Sequence, residues 1–410
     1  MANTILTPSM ITLEALRVLK NQLNFARHVN RKYSREFGIE GKKIGDTLQV
    51  RKPPRYIGRR GPALQVEDIT QTSVPVVINQ QYGCDINFSA KDRALSIERF
   101  SEDIIGPAVA SIANSIDSDG TALYKTVAAN VGIPATTPNA LLTYLLAGVA
   151  LDNASAPVDG SRYICITPLM QATIVDALKG LFQSSEKISQ QYEKGKMGIA
   201  AGFQWFMDQN MQTHTIGALG GSPQIDGANQ TGSSINVKGW TAAVGPRLKA
   251  GDIVTFVGVN QVNTQSRQSV GTLQTFTVTA DFASDVSGKG ALQISPPLTP
   301  SGQMQTVTAS PADSANIVVF PLANGTSSSA ASTATPQGLA FHKDAFTFAC
   351  VDLELPRGVD MASRIMDPDL NISMRLVRAY DINQDKYPCR LDVLGGWATL
   401  RQELACRISA

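Results

Sequence analysis

The sequence predicts an α+β chain of several domains, one of them an all-β insertion. Three observations predict it. The chain has 410 residues, 43% hydrophobic and 17% charged, which is enough apolar side chain for buried cores and more length than one core fills. Helical periodicity is concentrated in the first third. Residues 221–336 hold only five acids and five bases, and carry short β-type runs between Gly, Pro, Asn and Asp.

The first element is a helix. Thr12 is a candidate N-cap, and Glu14 sits in the first turn, where the helix dipole favours an anion. Leu16, Leu19, Leu23 and Ala26 follow as an apolar stripe. Beside it Arg17, Lys20, Asn24, Arg27 and Arg31 form a polar, mostly basic stripe. Residues 41–83 read as an extended hairpin, broken at Pro53-Pro54 and Gly58–Gly61, with a β-rich return over Thr72–Ile78. Lys42, Lys43, Arg51, Lys52, Arg55, Arg59 and Arg60 cluster on it. Large apolar residues are few between Arg51 and Gly61, so this tip is expected to project.

A helical region at 91–131 is interrupted at Gly106-Pro107. Ile105, Val109, Ile112, Ile116, Leu123, Val127 and Val131 would make a helix of about 38 Å. Ser161–Thr167 reads as a buried strand, and Pro168 opens a helix to about Leu181. Phe203–Met207 and Gln212–Ile216 read as strands. In the insertion six strands are expected: Ile235–Trp240, Asp252–Val259, Thr272–Thr279, Gly290–Ser295, Gln305–Ala309 and Ile317–Phe320. They suggest a small barrel or sandwich, tethered by the polar segments Gly220–Ser234 and Gly325–Ala334. Phe346–Leu355, Ile372–Tyr380, Cys389–Thr399 and Leu400–Ile408 return to strand patterns.

Charge is distributed unevenly. Residues 1–60 hold thirteen Lys and Arg against four acids, while the rest of the chain is net acidic. A basic arm on an acidic body favours head-to-tail association of copies and also offers a landing place for nucleic acid. The longest apolar run, Ala140–Leu151, is too short to span a bilayer, and no signal peptide or membrane partner is read. The five cysteines (84, 165, 350, 389, 406) contain no CxxC and read as reduced thiols of a cytosol-made protein.

Motifs for chemistry are missing. The sequence has no phosphate loop of the GxxxxGK type, no GxGxxG after a strand, no HExxH and no GxSxG, and His28, His214 and His342 lie far apart. Asp352/Glu354 and Asp367/Asp369 are nearby acid pairs, read as a solvated or salt-bridged strand face and a turn. No catalytic, cofactor-binding or metal residues are assigned, and no enzyme is expected. Trp240 and Trp397 are expected to be core anchors, and His214 and His342 ordinary polar residues.

Three stretches carry a resemblance: GLAFHKDAF at 338–346, MRLVRAYDINQDKYPCRLDVLGGWATLRQELACRI at 374–408, and LKAGDIVTFVGV at 248–259. With the order of elements, they make the chain similar to tailed-bacteriophage major capsid (coat) proteins of the Hong Kong 97-type fold, in the subgroup with an inserted β-barrel. The resemblance implies an N-terminal arm at 1–40 and an extended loop at 41–83 lying across an adjacent subunit. It implies a spine helix with peripheral and first axial parts at 84–220, the insertion at 221–336, and a return to the axial and peripheral sheets at 337–410. One departure is the short stretch Thr241–Lys249, where only Arg247 and Lys249 are charged, which weakens any bridging role for it.

The implied function is an icosahedral shell of hexamers and pentamers around a double-stranded DNA phage genome, assembled in the host cytoplasm and residing in the virion. Implied partners are identical coat subunits, a scaffolding protein, a portal protein and packaged DNA held non-specifically. The seven hairpin cations would meet acids on an adjacent copy. Arg17, Lys20, Arg27 and Arg31 would face the interior, toward scaffold or DNA. Two readings from other classes compete: a nucleic-acid-binding protein using the basic first 60 residues, and a surface carbohydrate-binding protein using the β module.

Overall fold

Pro8, whose missing N–H is harmless in a first turn, opens helix α1 (Pro8–Gln22) in the computed structural model. The structure describes residues 8–33, 47–58, 61–64, 66–89, 105–178, 198–242, 245–321, 327, 331–384 and 386–410. In chain order there follow β1 (Thr47–Arg51), β2 (Ser73–Val77), β3 (Gln80–Ser89) and α2 (Gly106–Thr121), with a 3-10 turn at Ala122–Thr126. Next come β4 (Asn130–Gly132), α3 (Leu141–Asn153), β5 (Arg162–Ile166), α4 (Pro168–Leu178), β6 (Ile199–Ala200), β7 (Phe203–Met207) and β8 (Thr213–Thr215). The insertion holds β9 (Gly221–Ile225), β10 (Gly232–Trp240), β11 (Ile253–Val262), β12 (Ser269–Val278), β13 (Gly290–Leu298) and β14 (Ile317–Val319). The remainder is β15 (Ala334–His342), β16 (Phe346–Val351), β17 (Met361–Asp367), β18 (Ile372–Arg378), β19 (Lys386–Thr399) and β20 (Ala405–Ser409). No helix among the described residues is long and apolar enough to cross a membrane.

The chain divides into two units. The first comprises residues 1–50, 73–121 and 346–400. Its sheet runs β16-β19-β18-β17, and β3 pairs antiparallel with β19 from Lys386↔Ser89 to Gly395↔Gln80. Leu16, Leu19 and Leu23 are buried as the apolar stripe predicts. The helix, however, starts four residues before Thr12 and ends at Gln22. Thr12 is therefore an interior, buried residue and not the cap, and Arg27 and Arg31 lie beyond the helix, so the basic stripe is not one helical face.

The buried carboxylate of Asp117 on α2 holds the turn after α1, accepting from the backbone N–H of Asn24 (2.7 Å) and of Ala26 (2.8 Å). Phe25 then packs on Trp397 and Phe346, with ring centroids 5.7 and 5.9 Å apart. Gly120 is required there, because a Cβ would lie 2.6 Å from the Trp397 ring. Val109, Ile112 and Ile116 face inward as expected, yet α2 has 16 residues, not the anticipated 25. The run Ser118-Asp119-Gly120-Thr121 lacks helix propensity, and the Thr121 hydroxyl bonds back to the carbonyl of Ser118.

The second unit comprises residues 51–72, 122–345 and 401–410. Its larger sheet runs β4-β20-β15-β5-β7-β6, with β8 added to β15. Ile164, Cys165 and Ile166 are buried on β5, the continuous apolar strand the sequence predicts. Residues 179–181, the expected end of α4, and half of the exit tether Gly325–Ala334 lie outside the described residues.

The insertion forms a six-stranded sheet in the order β14-β11-β12-β13-β10-β9. Its two edges meet. The Ile225 N–H donates to the Ala315 carbonyl at 3.0 Å, the Ser314 N–H donates to the Ile225 carbonyl at 3.0 Å, and Gln224 and Asn316 form a bridge. The sheet thus nearly closes into a barrel, filled by Ile235, Val237, Trp240, Phe256, Phe276, Val278, Leu292, Ile294 and Phe320. Phe256 and Phe276 stack at 5.2 Å.

Two strand expectations need correction. Gly221–Ile225 is a strand and not tether, with Ile225 in the core. Gln305–Ala309 is not a strand. The Thr306 N–H instead bonds to the Thr299 carbonyl, and Val307 makes only a lone bridge to Gln261.

Candidate functional site

The polar chemistry of the second unit converges where the barrel joins its host sheet. His214 comes from β8, Asp252 from the turn before β11, Tyr124 from the 3-10 turn, Gln337 from β15 and Arg407 from β20. The His214 Nε2 lies 2.7 Å from Asp252 Oδ1, and Nδ1 lies 3.0 Å from the Tyr124 hydroxyl. Asp252 Oδ2 accepts the backbone N–H groups of Lys249 (2.8 Å) and Gly217 (3.1 Å).

Burial holds the His214 imidazole below its ordinary range, with the hydrogen bond to Asp252 opposing the shift. The neutral ring therefore donates from Nε2 to Asp252 and accepts at Nδ1 from Tyr124. Both nitrogens are occupied, so none is left for a metal or a substrate proton.

Arg407 is fully buried, and burial pushes it down to about 10. Its Nε (3.0 Å) and one terminal nitrogen (2.8 Å) donate to Gln337 Oε1, and the other terminal nitrogen donates to the Gly251 carbonyl. Its guanidinium carbon sits 5.0 Å from the centre of the Tyr124 ring and 5.8 Å from that of Phe320. A fork of donors between two strands and a barrel turn suits a structural clamp. The expectation of an ordinary polar His214 misses this arrangement, since Asp252 and Arg407 are remote from it in sequence.

The hairpin cations divide. Arg51 is exposed and Lys52 half-exposed. Arg55, expected against an adjacent copy, is paired with Glu403 of its own chain at 3.1 Å. Lys42, Lys43, Arg59 and Arg60 lie outside the described residues. The segment 51–72 exposes Tyr56, Ile57, Leu64, Val66 and Ile69. Arg267 donates to the Tyr56 carbonyl at 3.5 Å, and Gln303 donates to Glu67 Oε2 (3.2 Å) and to the Asp68 carbonyl (2.8 Å).

In the first unit Arg17 pairs with Glu14 at 2.5 Å, and Lys20 with Asp369 (2.5 Å) and Asp367 (3.3 Å). Arg31 is buried, donates to the Leu370 carbonyl at 3.3 Å and is pushed down to about 10 by burial. Arg17 and Arg27 are the exposed members of the predicted set. Asp367 also accepts the backbone N–H of Asp369 and Leu370, the turn setting read from the sequence, while Asp352 pairs with Arg364 at 3.5 Å. Among the described residues no cluster of His, Cys, Asp or Glu is suited to hold a metal ion.

A family model described as "P22 coat protein - gene protein 5" matches residues 9–406. The chain belongs to this coat-protein family. As a family member it is a tailed-phage major capsid protein of the Hong Kong 97-type fold with an inserted β domain, its copies assemble into the shell, and its place is the virion capsid. The family is one of structural proteins. The nucleic-acid-binding and carbohydrate-binding alternatives gain no support.

Among solved structures, the coat protein is similar to the capsid of Ralstonia phage GP4 (7% identity, 94% of this chain and 88% of that one, TM-score 0.46). It is also similar to a structure from Mycobacterium phage Che8 (12% identity, 94% and 90%, TM-score 0.44). The CUS-3 coat protein I-domain is similar at 23% identity over 24% of this chain and 94% of that one, with a TM-score of 0.18. No curated protein matches by sequence.

Proposed function

We propose that this coat protein builds an icosahedral shell of hexamers and pentamers around a double-stranded DNA genome, assembled in the host cytoplasm with a scaffolding protein and a portal protein, and that it catalyses no reaction. In this reading 1–40 is the N-terminal arm, 41–83 the extended loop, 84–220 and 337–410 the spine, peripheral and axial parts, and 221–336 the outward insertion. The observation that carries it is the family match over residues 9–406.

The segment 51–72 supports the extended-loop role. It exposes Tyr56, Ile57, Leu64, Val66 and Ile69, and apolar groups left in water by one chain are the ones that gain by meeting another. Arg51 and Lys52 flank that surface and would pair with acids of an adjacent copy. Each exposed pair is worth about 0–1 kcal/mol, so association depends on repetition and weakens in salt. Arg17 and Arg27 are the exposed cations left to face scaffold or DNA.

The test is charge reversal, Arg51→Glu with Lys52→Glu. The expected variant is a folded subunit that forms no shells in sedimentation or negative-stain microscopy. Shells of normal yield and size would overturn the reading of the loop.

A further inference from the structure

The longest apolar run of the sequence becomes α3, thirteen residues and about 20 Å long, with no charge before Asp152. Its inner face, Tyr144, Ala147 and Leu151, is fully buried. Its outer face is also apolar: Leu142 is 64% exposed, Leu145 41%, Leu146 46% and Val149 49%. The spacing i, i+3, i+4, i+7 lines them along one stripe over two turns. A surface helix ordinarily carries charged or polar residues there. Asp152, one turn beyond Val149, ends the stripe with an exposed carboxylate paired to Arg162 at 2.7 Å.

We propose that this stripe is a contact surface for a second copy of the chain. The inference rests on the shell-building reading. It commits to a second copy for three reasons. The stripe is uncharged, so it has nothing to offer a phosphate backbone or a charged peptide, and only removal from water rewards its occupation. Its area, roughly 300–400 Å², falls within the range of the largest apolar patch on a typical monomer and is about half of the 800 Å² per partner that a stable dimer needs. Such a surface cannot hold two copies alone, and it suits a lattice in which each copy makes several contacts. Finally, the stripe is rigid. The Tyr144 hydroxyl donates to the Pro138 carbonyl at 3.4 Å, and the helix end is closed by the Ala154 N–H on Ala150 and the Ala156 N–H on Leu151, at 3.2 and 2.9 Å. Little ordering is required on contact.

Hydroxyl-radical footprinting of the unmodified chain tests it directly. Labelling of Leu142, Leu145, Leu146 and Val149 should fall several-fold from the free subunit to purified shells made of this chain alone. Shells in which these four label as in the free subunit would overturn the stripe and leave the shell-building reading intact. Protection seen only while a second protein species is co-assembled would assign the stripe to that species and also overturn the proposal. Failure of the unmodified chain to assemble under any condition would remove the reading beneath it.

A substitution gives a second, independent readout. Leu146→Glu should leave the thermal unfolding midpoint and circular dichroism of the free subunit unchanged while cutting shell yield about tenfold or more, because a carboxylate would be buried unpaired at the contact. Leu146→Met should assemble normally. Equal yields from all three chains would refute the contact.

Discussion

Replacing Arg407 by Met keeps the bulk of the side chain and removes its donors. Two buried acceptors, Gln337 Oε1 and the Gly251 carbonyl, then lose the guanidinium. An acceptor left unpaired in the interior costs about 1–3 kcal/mol. The lost stacking on Tyr124 and Phe320 adds to this. In the other direction, a cation whose titration point burial has pushed down to about 10 no longer has to be desolvated. Because both partners are neutral, no buried charge is orphaned, and the two unpaired acceptors set a net cost of about 2–4 kcal/mol, against about 5–15 kcal/mol of stability for an ordinary domain. In equilibrium urea unfolding of the free subunit, followed by tryptophan fluorescence, the midpoint should drop by roughly 1–2 M. Arg407→Lys keeps the charge but loses the fork, and should fall between wild type and Met. Arg407→Met combined with Gln337→Met should cost less than the sum of the single changes, because the orphaned amide oxygen goes as well. A shift of less than about 1 kcal/mol for Arg407→Met would refute the idea that this group clamps the barrel to its sheet.

Three further outcomes are expected. Asp117→Ala leaves the Asn24 and Ala26 N–H groups without their acceptor and should destabilise the first unit by about 2–4 kcal/mol, measured by urea titration with Trp397 as reporter. Gly396→Ala places a Cβ 2.0 Å from the Val77 carbonyl and should lower the thermal midpoint of the subunit, with soluble yield falling in parallel, at a cost of about 1–3 kcal/mol. Stability should decline as pH falls from 6.5 toward about 5. His214 and His28 are both held below 6.5 in the fold, chiefly by burial, so in that window the unfolded chain takes up protons that the folded one does not. Above 6.5 these groups contribute no slope, and His214→Gln should flatten the acid limb in urea titrations at pH 5.0, 6.0 and 7.0.

The barrel is largely legible in the sequence because β10 and β13 come near the alternation that a half-buried strand needs, and β11 opens on a continuous β-branched and apolar run between turn residues. β9 is not, since Gly221, Ser222 and Pro223 look like tether; only Ile225 belongs to the core, and its bonds to Ser314 and Ala315 are a non-local fact. The buried faces of α1 and α2 follow from their apolar spacing, while their ends do not. Pro8 can begin the first helix as well as Thr12 can cap it, and the weak formers at 118–121 are masked in the pattern by the apolar residues beyond them. The junction cluster leaves no signal. His214, Asp252, Gln337 and Arg407 share no spacing, and a lone Arg on a terminal strand reads as surface until the fold buries it. The α3 run is visible in full, but a hydrophobic stretch tells only that it seeks cover, not whether its own chain provides it.

β20 occupies an interior place in its sheet, between β4 and β15, and carries the cation that reaches the barrel. During translation it is the last strand of that sheet to emerge. At ordinary elongation rates the ribosome needs roughly 4–17 s to travel from the end of β14 to the start of β20. For that interval a barrel whose strands are all made would wait beside a host sheet with a gap in its middle. The second unit's sheet therefore stays open at its middle until residues 405–409 have been made.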